Sequence, residues 1–160
     1  MATIGKLVVL LIAVAVLLLV VALLRNAPSF SAPPGLGPRL LAYLSTNVAE
    51  TSDDSVYPEL RTPVCAEQAS QVLAAVEQVA RSMGWGQIER ADNRLTTVIT
   101  TPLWRFKDDM AISTQTTPGA GTRLHLRSAS RVGRGDLAAN SAYIMSMLSG
   151  LKSMGIRCQQ

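Results

Sequence analysis

The segment RSASRVGRGD, residues 127–136, decides the fold class of this chain, because one residue periodicity changes to another across it. Before it, TRLHLRSAS (122–130) alternates apolar and polar residues, as a half-buried antiparallel strand does. After it, residues 136–155 carry apolar side chains at helical spacing. The segment is therefore predicted to connect a strand to a helix, with Gly133 and Gly135 permitting the sharp turn.

The chain upstream of this connection predicts one helix followed by several short strands. The segment AEQASQVLAAVEQVARSMG (66–84) places its apolar residues on one helical face and ends at a glycine, a common helix stop. Turn-forming segments ADN and TPGAG separate the β-type runs that follow. These runs cover residues 85–90, 94–101, 103–114 and 122–130. The helix–strands–helix order predicts an α+β fold, in which an antiparallel sheet carries two helices on one face.

The N-terminal segment LVVLLIAVAVLLLVVALL (Leu7–Leu24) has no charged or strongly polar residue. At about 1.5 Å per residue it nearly crosses a hydrocarbon core, and Lys6 extends its reach by snorkelling. The run is longer than the apolar core of a typical secretory signal, although SFSA (29–32) offers an alternative cleavage site. We therefore predict a retained transmembrane helix within an anchor of residues 1–25.

The remaining chain divides into a linker and a folded domain. Residues 26–55 are rich first in proline and glycine and then in acidic side chains, which predicts a linker. Within it, LLAYL (40–44) is predicted to rest at the membrane interface with Tyr43 at headgroup level. The folded extracytoplasmic domain is predicted to cover residues 56–160.

Two cysteines, Cys65 and Cys158, lie just before the first predicted helix of the domain and just after the last. If these helices run antiparallel on the sheet, the two ends are neighbours, and a disulfide closing a loop of about 90 residues is predicted. Two free thiols are the alternative. Because disulfides persist in oxidising compartments, the pair favours a cytoplasmic N-terminus and a periplasmic domain on the inner membrane. The charges beside the anchor give almost no orientation signal.

Composition excludes several classes of function. The chain carries 15 Lys and Arg against 11 Asp and Glu, and aromatic residues make up 4% of it. The basic residues are scattered, so the clustered footprint of a nucleic-acid-binding protein is missing. One histidine and two distant cysteines do not make a zinc site, and neither a metal nor a cofactor is predicted. A mildly basic domain suits contact with anionic lipid or an acidic protein.

Three functional interpretations of RSASRVGRGD are weak. A phosphate loop would need the G-x-x-x-x-G-K-[ST] or G-x-G-x-x-G pattern, and Asp136 would repel the phosphate. A serine nucleophile needs a base, but strand alternation places His125 on the opposite face from Ser128. The tripeptide RGD is common by chance.

A structural interpretation explains more of these residues. Asp136 is placed to cap the final helix, while Arg127 and Arg131 are predicted to pair with Asp108 and Asp109 on a neighbouring strand. We therefore predict a polar corner and no catalytic residue. The residues of this structural or binding cluster are Asp108, Asp109, Arg127, Ser128, Ser130, Arg131, Asp136 and Asn140.

A family resemblance lies in the residues TTVITTPLWRFKDDMAIST…RLHLRSASRVGRGDLAANSAYIMSMLSGL. These residues resemble a bacterial family that has relatives in plastid membranes and is catalogued only as a domain of unknown function. The matching pattern is Gly-Trp after a helix, Phe-x-Asp-Asp, and Arg-Ser-x-Ser-Arg-x-Gly-x-x-Asp-x-x-x-Asn before the last helix. It extends over roughly residues 57–152. The resemblance implies an exported protein, often lipid- or helix-anchored, and brings no assigned reaction. This chain departs from the family in its helix anchor and its cysteine pair. The matching positions are Gly84, Trp85, Phe106, Asp108, Asp109, Arg127, Ser128, Ser130, Arg131, Gly133, Asp136 and Asn140.

Together these features predict a non-enzymatic, membrane-anchored accessory or structural subunit of a membrane protein complex, with photosynthetic and respiratory assemblies as candidate hosts. Its partners would be membrane lipid and other subunits, reached through the anchor and the external domain. The alternative is an envelope domain that binds a small ligand or lipid, or an unrecognised hydrolase, using Arg127, Arg131, Asp108 and Asp109. An open pocket lined by these four residues would favour the alternative.

Overall fold

The protein is described from a computed structural model, which covers residues 2–102 and 104–160. Met1, the first residue of the predicted anchor, and Leu103, the first residue of one predicted strand, lie outside the described residues. The helices are α1 (Ala2–Asn26), α2 (Leu36–Ser45), α3 (Ala69–Ser82) and α4 (Ala139–Ser153), with a short 3-10 turn at Pro58–Leu60. The strands are β1 (Val48–Glu50), β2 (Val64–Cys65), β3 (Gly86–Ala91), β4 (Arg94–Thr100), β5 (Lys107–Thr117), β6 (Gly121–Ser130) and β7 (Cys158–Gln159).

The seven strands form one antiparallel sheet, which confirms the predicted α+β class. The strand order is β3-β4-β5-β6-β2-β7, and β1 pairs with the other end of β6 beside β2. The long hairpin of β5 and β6 is the centre of the sheet, with its register running from Asp108↔Ser130 to Thr117↔Gly121. The β5–β6 turn and the strand-to-helix corner therefore lie at opposite ends of the sheet.

Helices α3 and α4 cover one face of the sheet. Alternate residues of β4, β5 and β6 point towards them and form the core, as strand periodicity requires. Gly150 of α4 brings the two helices close together, because a Cβ atom there would lie 2.5 Å from the Cγ1 atom of Val79 on α3. The largest fully buried apolar side chains are Val72, Leu73, Val76, Leu95, Met110, Ile112, Leu124, Leu126, Ile144, Met147 and Leu151.

The opposite face of the sheet is polar and accessible to solvent, and we call it the open face. Register rows cross it from strand to strand, with Arg94, Ser113 and His125 in one row. Arg127 and Glu50 lie side by side in the next row. The uncovered sheet face therefore carries charges of both signs.

Residues 26–55 do not form the predicted linker, since α2 and β1 lie within this range. Strand β1 pairs with β6, with Glu50 opposite Arg127, so the folded domain begins well before Val56. The prolines that suggested a linker occupy positions where no backbone N–H is needed, in the turn before α2 and, at Pro38, in its first turn. Tyr43 is buried within the domain, so its ring is not the exposed interfacial side chain that was predicted.

Helix α1 is long and apolar enough to cross a membrane. The most apolar 18-residue window within Thr3–Asn26 has a mean hydropathy of 3.6, and none of that window is buried by the rest of the chain. Most of its large apolar side chains, from Ile4 to Leu24, are exposed, and Leu19 and Leu23 are half-buried.

A disulfide joins Cys65 to Cys158, as predicted. The two residues are direct register partners on β2 and β7, and not merely neighbours at two helix ends. Their Cα atoms are 3.9 Å apart, closer than the usual range of about 4.4–6.8 Å. Cys65 also lies opposite Thr122, so the disulfide is at the end of the sheet near the β5–β6 turn.

Candidate functional site

Strand alternation divides the predicted cluster between the two faces of the sheet. Asp109 lies on the open face and is exposed, whereas Asp108 points towards the helices and is only 3% exposed. In β6, Arg127 is likewise exposed and Ser128 fully buried. Neighbouring residues on a strand point to opposite faces, so the four charged residues cannot form one cluster.

One of the predicted ion pairs is present on the open face. The guanidinium of Arg131 donates two hydrogen bonds to the carboxylate of Asp109, with Nε–Oδ2 and Nη2–Oδ1 distances of 2.9 and 2.6 Å. These bonds hold the pKa of Asp109 below its ordinary value, against partial desolvation. Both side chains are about half exposed, so the pair contributes little to stability.

Arg127 does not pair with Asp108 or Asp109, which corrects the prediction. Its Nε atom lies 3.6 Å from a carboxylate oxygen of Glu50, its register partner on β1. Glu50 lies in the range that was predicted to be a linker, so the sequence did not indicate this partner. Arg127 is about half exposed, and it belongs to the open surface of the sheet.

Asp108 lies beneath α4, close to Tyr143. Burial, followed by the negative charge of Asp108, raises the pKa of Tyr143 to about 12. Tyr143 also packs edge-on against Trp85, with the ring centroids 6.3 Å apart. Asp108 is therefore part of the packing between β5 and α4 and is not available on the surface.

The polar residues Ser128, Ser130 and Asn140 form a buried hydrogen-bond network at the corner. The hydroxyl of Ser128 donates to Oδ1 of Asn140 at 2.5 Å. The amide nitrogen of Asn140 donates to the Ser130 hydroxyl at 3.0 Å and to the carbonyl oxygen of Asn47 at 2.8 Å. The side-chain amide group of Asn140 thus has both of its donor hydrogens and its acceptor satisfied, as burial requires. This network fixes the start of α4 to β6 and to the segment between α2 and β1.

Asp136 caps α4, although it lies three residues before the first helical residue. Its carboxylate accepts hydrogen bonds from the backbone N–H groups of Ala138 at 2.9 Å and Asn140 at 3.0 Å. Leu137 and Ala138 adopt left-handed backbone conformations, with φ values of 53° and 70°. These two residues reverse the chain so that the carboxylate faces the N-terminal end of the helix.

The corner also joins the domain to the end of α1. A Cβ atom at Gly135 would lie 2.5 Å from the carbonyl oxygen of Leu44, so only glycine fits where the chain passes α2. The backbone N–H of Leu137 donates to the carbonyl oxygen of Tyr43 at 3.0 Å. The side chain of Asn26 donates to the carbonyl oxygen of Leu137 at 2.8 Å. The segment RSASRVGRGD is therefore a joint between α1, α2, β6 and α4.

A second polar centre, which was not predicted from the sequence, surrounds Arg39 of α2. The guanidinium is fully buried and its five N–H groups meet five acceptors. Two bonds reach the Glu59 carboxylate, at 2.5 and 3.0 Å, and a third reaches the Tyr43 hydroxyl at 2.9 Å. The other two reach the carbonyl oxygens of Ala32 at 3.1 Å and Pro33 at 2.6 Å. Arg39 thereby fastens the segment before α2 to the domain.

The electrostatics of this centre favour its charged form. Burial alone would raise the pKa of Glu59, but the hydrogen bonds and the positive charge of Arg39 outweigh it, so the pKa lies below its ordinary value. The hydrogen bond to Glu59 likewise raises the pKa of Arg39, against desolvation. The ring of Tyr57 lies 5.0 Å from the guanidinium carbon and adds a cation–π contact. The i, i+4 spacing of Arg39 and Tyr43 within LGPRLLAYL was the available sequence signal.

Two depressions in the surface could accept a ligand or a partner side chain. A cleft of about 350 Å³ lies between the C-terminal end of α1 and α4. A shallower depression of about 490 Å³ lies on the open face. Neither is lined by Asp108, Asp109 or Arg131, so these two depressions do not unite the four charged residues of the ligand-binding alternative. The cleft residues include Arg25, Tyr43, Glu59, Ser141, Ser146 and Ser149, and the open-face residues include Glu50, Arg94, Ser113, His125 and Arg127.

The fold and these sites define a small, disulfide-linked α+β domain that follows a helix able to span a membrane. The chain belongs to the family described as a protein of unknown function, DUF1499, whose model matches residues 35–151. This confirms the family resemblance of the sequence. The match begins at residue 35 and not near residue 57, so it includes Arg39 as well as the corner. No curated protein matches the chain.

Proposed function

We propose that this protein is a non-enzymatic accessory subunit of a membrane protein complex, held by α1 as a single-pass anchor. In this proposal the N-terminus is cytoplasmic and the domain lies in the periplasm. The apolar side chains exposed around α1 support the anchor, because they need lipid or partner helices to cover them. The disulfide between Cys65 and Cys158 supports an oxidising compartment.

The open face of the sheet is the observation that carries a docking function. Helices occupy the other face, so the open face offers a broad surface of exposed and half-exposed side chains on strands that the core holds rigid. Its exposed arginine–carboxylate pairs, Arg131–Asp109 and Arg127–Glu50, break at little cost and can form again with charges on a partner. Charges of both signs on a rigid surface suit selection of a partner protein by electrostatic complementarity.

Photo-crosslinking in intact membranes tests this proposal. A photoreactive amino acid replaces Arg127 on the open face, and in a matched protein it replaces Gln78, which is exposed on α3 on the opposite side of the domain. We expect the Arg127 position to give a discrete protein adduct, identified by mass spectrometry, and the Gln78 position to give none. Adducts from Gln78 alone, or no adduct from Arg127, would contradict docking through the open face.

The anchor has its own measurement, the intact mass of the mature protein. We expect a chain that retains residues 7–24. A mature N-terminus after SFSA (29–32) would show that α1 is a cleaved signal and would refute the membrane-anchored subunit.

The cleft between α1 and α4 favours a second candidate function, the binding of a small ligand or lipid. Its volume of about 350 Å³ lies within the range of small-molecule sites, about 300–1,000 Å³. Arg25 and four serines, Ser29, Ser141, Ser146 and Ser149, supply donors for an anionic group. Native mass spectrometry of the detergent-solubilised protein would detect a bound molecule, and Ser146→Trp, which fills the cleft, should abolish that adduct. An unchanged adduct in this variant would reject the cleft as its site.

A further inference from the structure

Five of the large apolar side chains that are exposed outside α1 lie on segments next to one another. Trp104 is 66% and Phe106 51% exposed in the β4–β5 connection, and Val132 is 65% exposed in the corner. Leu41 and Leu44 of α2 are 68% and 49% exposed. A small domain rarely exposes so many large apolar side chains in one region without a binding partner. We call these five residues the basal rim.

Backbone contacts connect the segments of the basal rim. The N–H of Arg131 donates to the carbonyl oxygen of Lys107 at 3.0 Å, which joins the corner to the β4–β5 connection. The side chain of Asn47 donates to the carbonyl oxygen of Gly133 at 2.7 Å, and the chain at Gly135 touches the carbonyl of Leu44. The three segments therefore follow one edge of the domain.

Helix α2 presents its leucines outward because its other face is fixed by polar contacts. Arg39 and Tyr43 are buried on that face, where they bond to each other and to Glu59. Leu41 and Leu44 lie three residues apart on the opposite side, as helical periodicity requires. Rotating α2 to hide the leucines would expose the Arg39 centre, so their exposure is built into the fold.

The basal rim begins at the level where α1 would leave the membrane. Asn26, whose side chain binds the carbonyl oxygen of Leu137, follows the apolar residue Leu24 by two positions, a rise of about 3 Å along the helix. The headgroup layer on each side of a bilayer is roughly 5–7 Å thick. Leu137 and the adjacent corner would therefore lie within or directly above the lipid headgroups.

The composition of the rim and its neighbours suits an anionic lipid surface. Trp and Phe side chains are favoured at the boundary between headgroups and acyl chains. Three exposed basic residues, Arg105, Lys107 and Arg134, alternate with the apolar ones along the chain, and basic residues near a membrane are attracted to anionic headgroups. The described part of the chain gives none of these three a carboxylate within 4.0 Å.

We propose that the basal rim docks on the outer surface of the bilayer that α1 crosses, with its apolar side chains among the headgroups and its basic side chains on anionic lipid phosphates. This inference rests on the proposed retention of α1 as an anchor. It assigns an orientation to the domain: the disulfide end of the sheet points away from the membrane. The open face is then presented sideways, towards neighbouring membrane proteins.

Depth-dependent fluorescence quenching tests this orientation with the full chain. Trp85→Phe leaves Trp104 as the single tryptophan. A distal control carries Trp85→Phe, Trp104→Phe and Ala120→Trp, with its tryptophan in the exposed β5–β6 turn, about 34 Å along the strands from Lys107. Both proteins are inserted into phosphatidylglycerol bilayers that contain lipid brominated high on the acyl chain. We expect Trp104 to be blue-shifted and to lose most of its emission, and the control to lose none.

A second arm tests the charge contribution. Arg105→Glu/Lys107→Glu/Arg134→Glu should weaken the quenching of Trp104 in phosphatidylglycerol bilayers and have little effect in phosphatidylcholine bilayers. A triple reversal of exposed basic residues outside the rim, Arg61→Glu/Arg94→Glu/Lys152→Glu, carries the same change of charge and should leave the quenching unchanged. Equal effects of the two triple variants would refute the recognition of anionic lipid.

The outcomes separate this inference from the proposed function. If the chain resists alkaline extraction from the bilayer but Trp104 is quenched no more than the distal control, the anchor stands and the docking of the rim is refuted. A Trp104 that is shielded from water and yet insensitive to brominated lipid would show that protein covers the rim, which also refutes the proposal. If the chain is extracted at alkaline pH, the anchor fails and the rim proposal fails with it.

Discussion

At the scale of single residues, Arg39 and Glu59 form a buried ion pair whose desolvation cost must be offset by its hydrogen bonds. A fully buried guanidinium with all five donors satisfied contributes little net stability against its desolvation cost, but it becomes very unfavourable when its counter-charge is lost. The exposed pair of Arg127 and Glu50 contrasts with it, because water can replace either partner. The contribution of a charge in this protein therefore depends on its burial.

This contrast predicts the effect of two substitutions on the free energy of unfolding. Glu59→Gln should lower it by about 3–5 kcal/mol, because the positive charge of Arg39 remains buried without its partner. Arg127→Ala should change it by less than about 1 kcal/mol. Urea denaturation of the full chain in detergent, followed by near-ultraviolet circular dichroism, measures both values. Equal losses in the two variants would contradict the structural role of the buried pair.

The lowered pKa of Glu59 also predicts how stability depends on pH. A carboxyl group whose pKa is depressed by folding contributes stability above its ordinary pKa of 4.5 and loses that contribution as pH falls through the folded-state pKa. The difference in unfolding free energy between the wild-type protein and Glu59→Gln should therefore be constant above about pH 5 and shrink below it. A difference that stays constant down to pH 3 would show that Glu59 is not the titrating group.

At the scale of secondary-structure elements, the long periodic segments were predictable and the short ones were not. Helix α3 and strands β4 and β6 follow apolar patterns that extend over several residues, and each lies where the sequence places it. Strands β1, β2 and β7 have two or three residues each, which is too few to show a period. They form because their backbones hydrogen-bond to β6 or to one another. Helix α2 was hidden by the prolines and glycines at its start.

The candidate site was predictable in its members but not in its partners. The polar residues of the corner were predicted from the sequence. The cap by Asp136 and the ion pair of Arg131 with Asp109 were predicted as well. Strand alternation alone would have excluded a shared site for Asp108 and Asp109, since adjacent residues point to opposite faces. The partner of Arg127 could not be found without the β1–β6 pairing, which is a long-range contact.

Alanine substitutions at two glycines test whether the corner packs against α2. Gly135→Ala places a Cβ atom 2.5 Å from the carbonyl oxygen of Leu44 and should lower the free energy of unfolding by about 1–3 kcal/mol through forced backbone movement. Gly37→Ala, in the first turn of α2 with no atom beyond its chain neighbours within 4 Å of its Cβ position, should change it by less than about 1 kcal/mol, because the gain in helix propensity is offset by the crowding of a side chain before Pro38. Thermal denaturation of both variants checks that only Gly135→Ala is clearly destabilising, and a stabilising Gly135→Ala would show that α2 does not pack on the corner.

At the scale of the whole molecule, covalent and polar reinforcement lie at opposite ends of the sheet. The disulfide fastens β7 to β2 at the end near the β5–β6 turn, and the corner fastens α1, α2 and α4 at the other end. The sheet between them is held by the long β5–β6 pairing. This arrangement predicts that the two ends open independently, because Thr122, the register partner of Cys65, lies eight residues along β6 from Ser130 of the corner.

Replacing both cysteines tests that independence. The bond closes a loop with a sequence separation of 93, and removing a native disulfide typically costs about 2–5 kcal/mol. In Cys65→Ala/Cys158→Ala, the amides of β7 and β2 should exchange hydrogen much faster than in the wild-type protein. The amides of Ser130 and Arg131, bonded to the carbonyls of Asn47 and Lys107, should lose only the protection that follows from the lower global stability. Hydrogen–deuterium exchange measures both regions in one experiment, and equal loss of protection at the two ends would show that the sheet unfolds as a single cooperative unit.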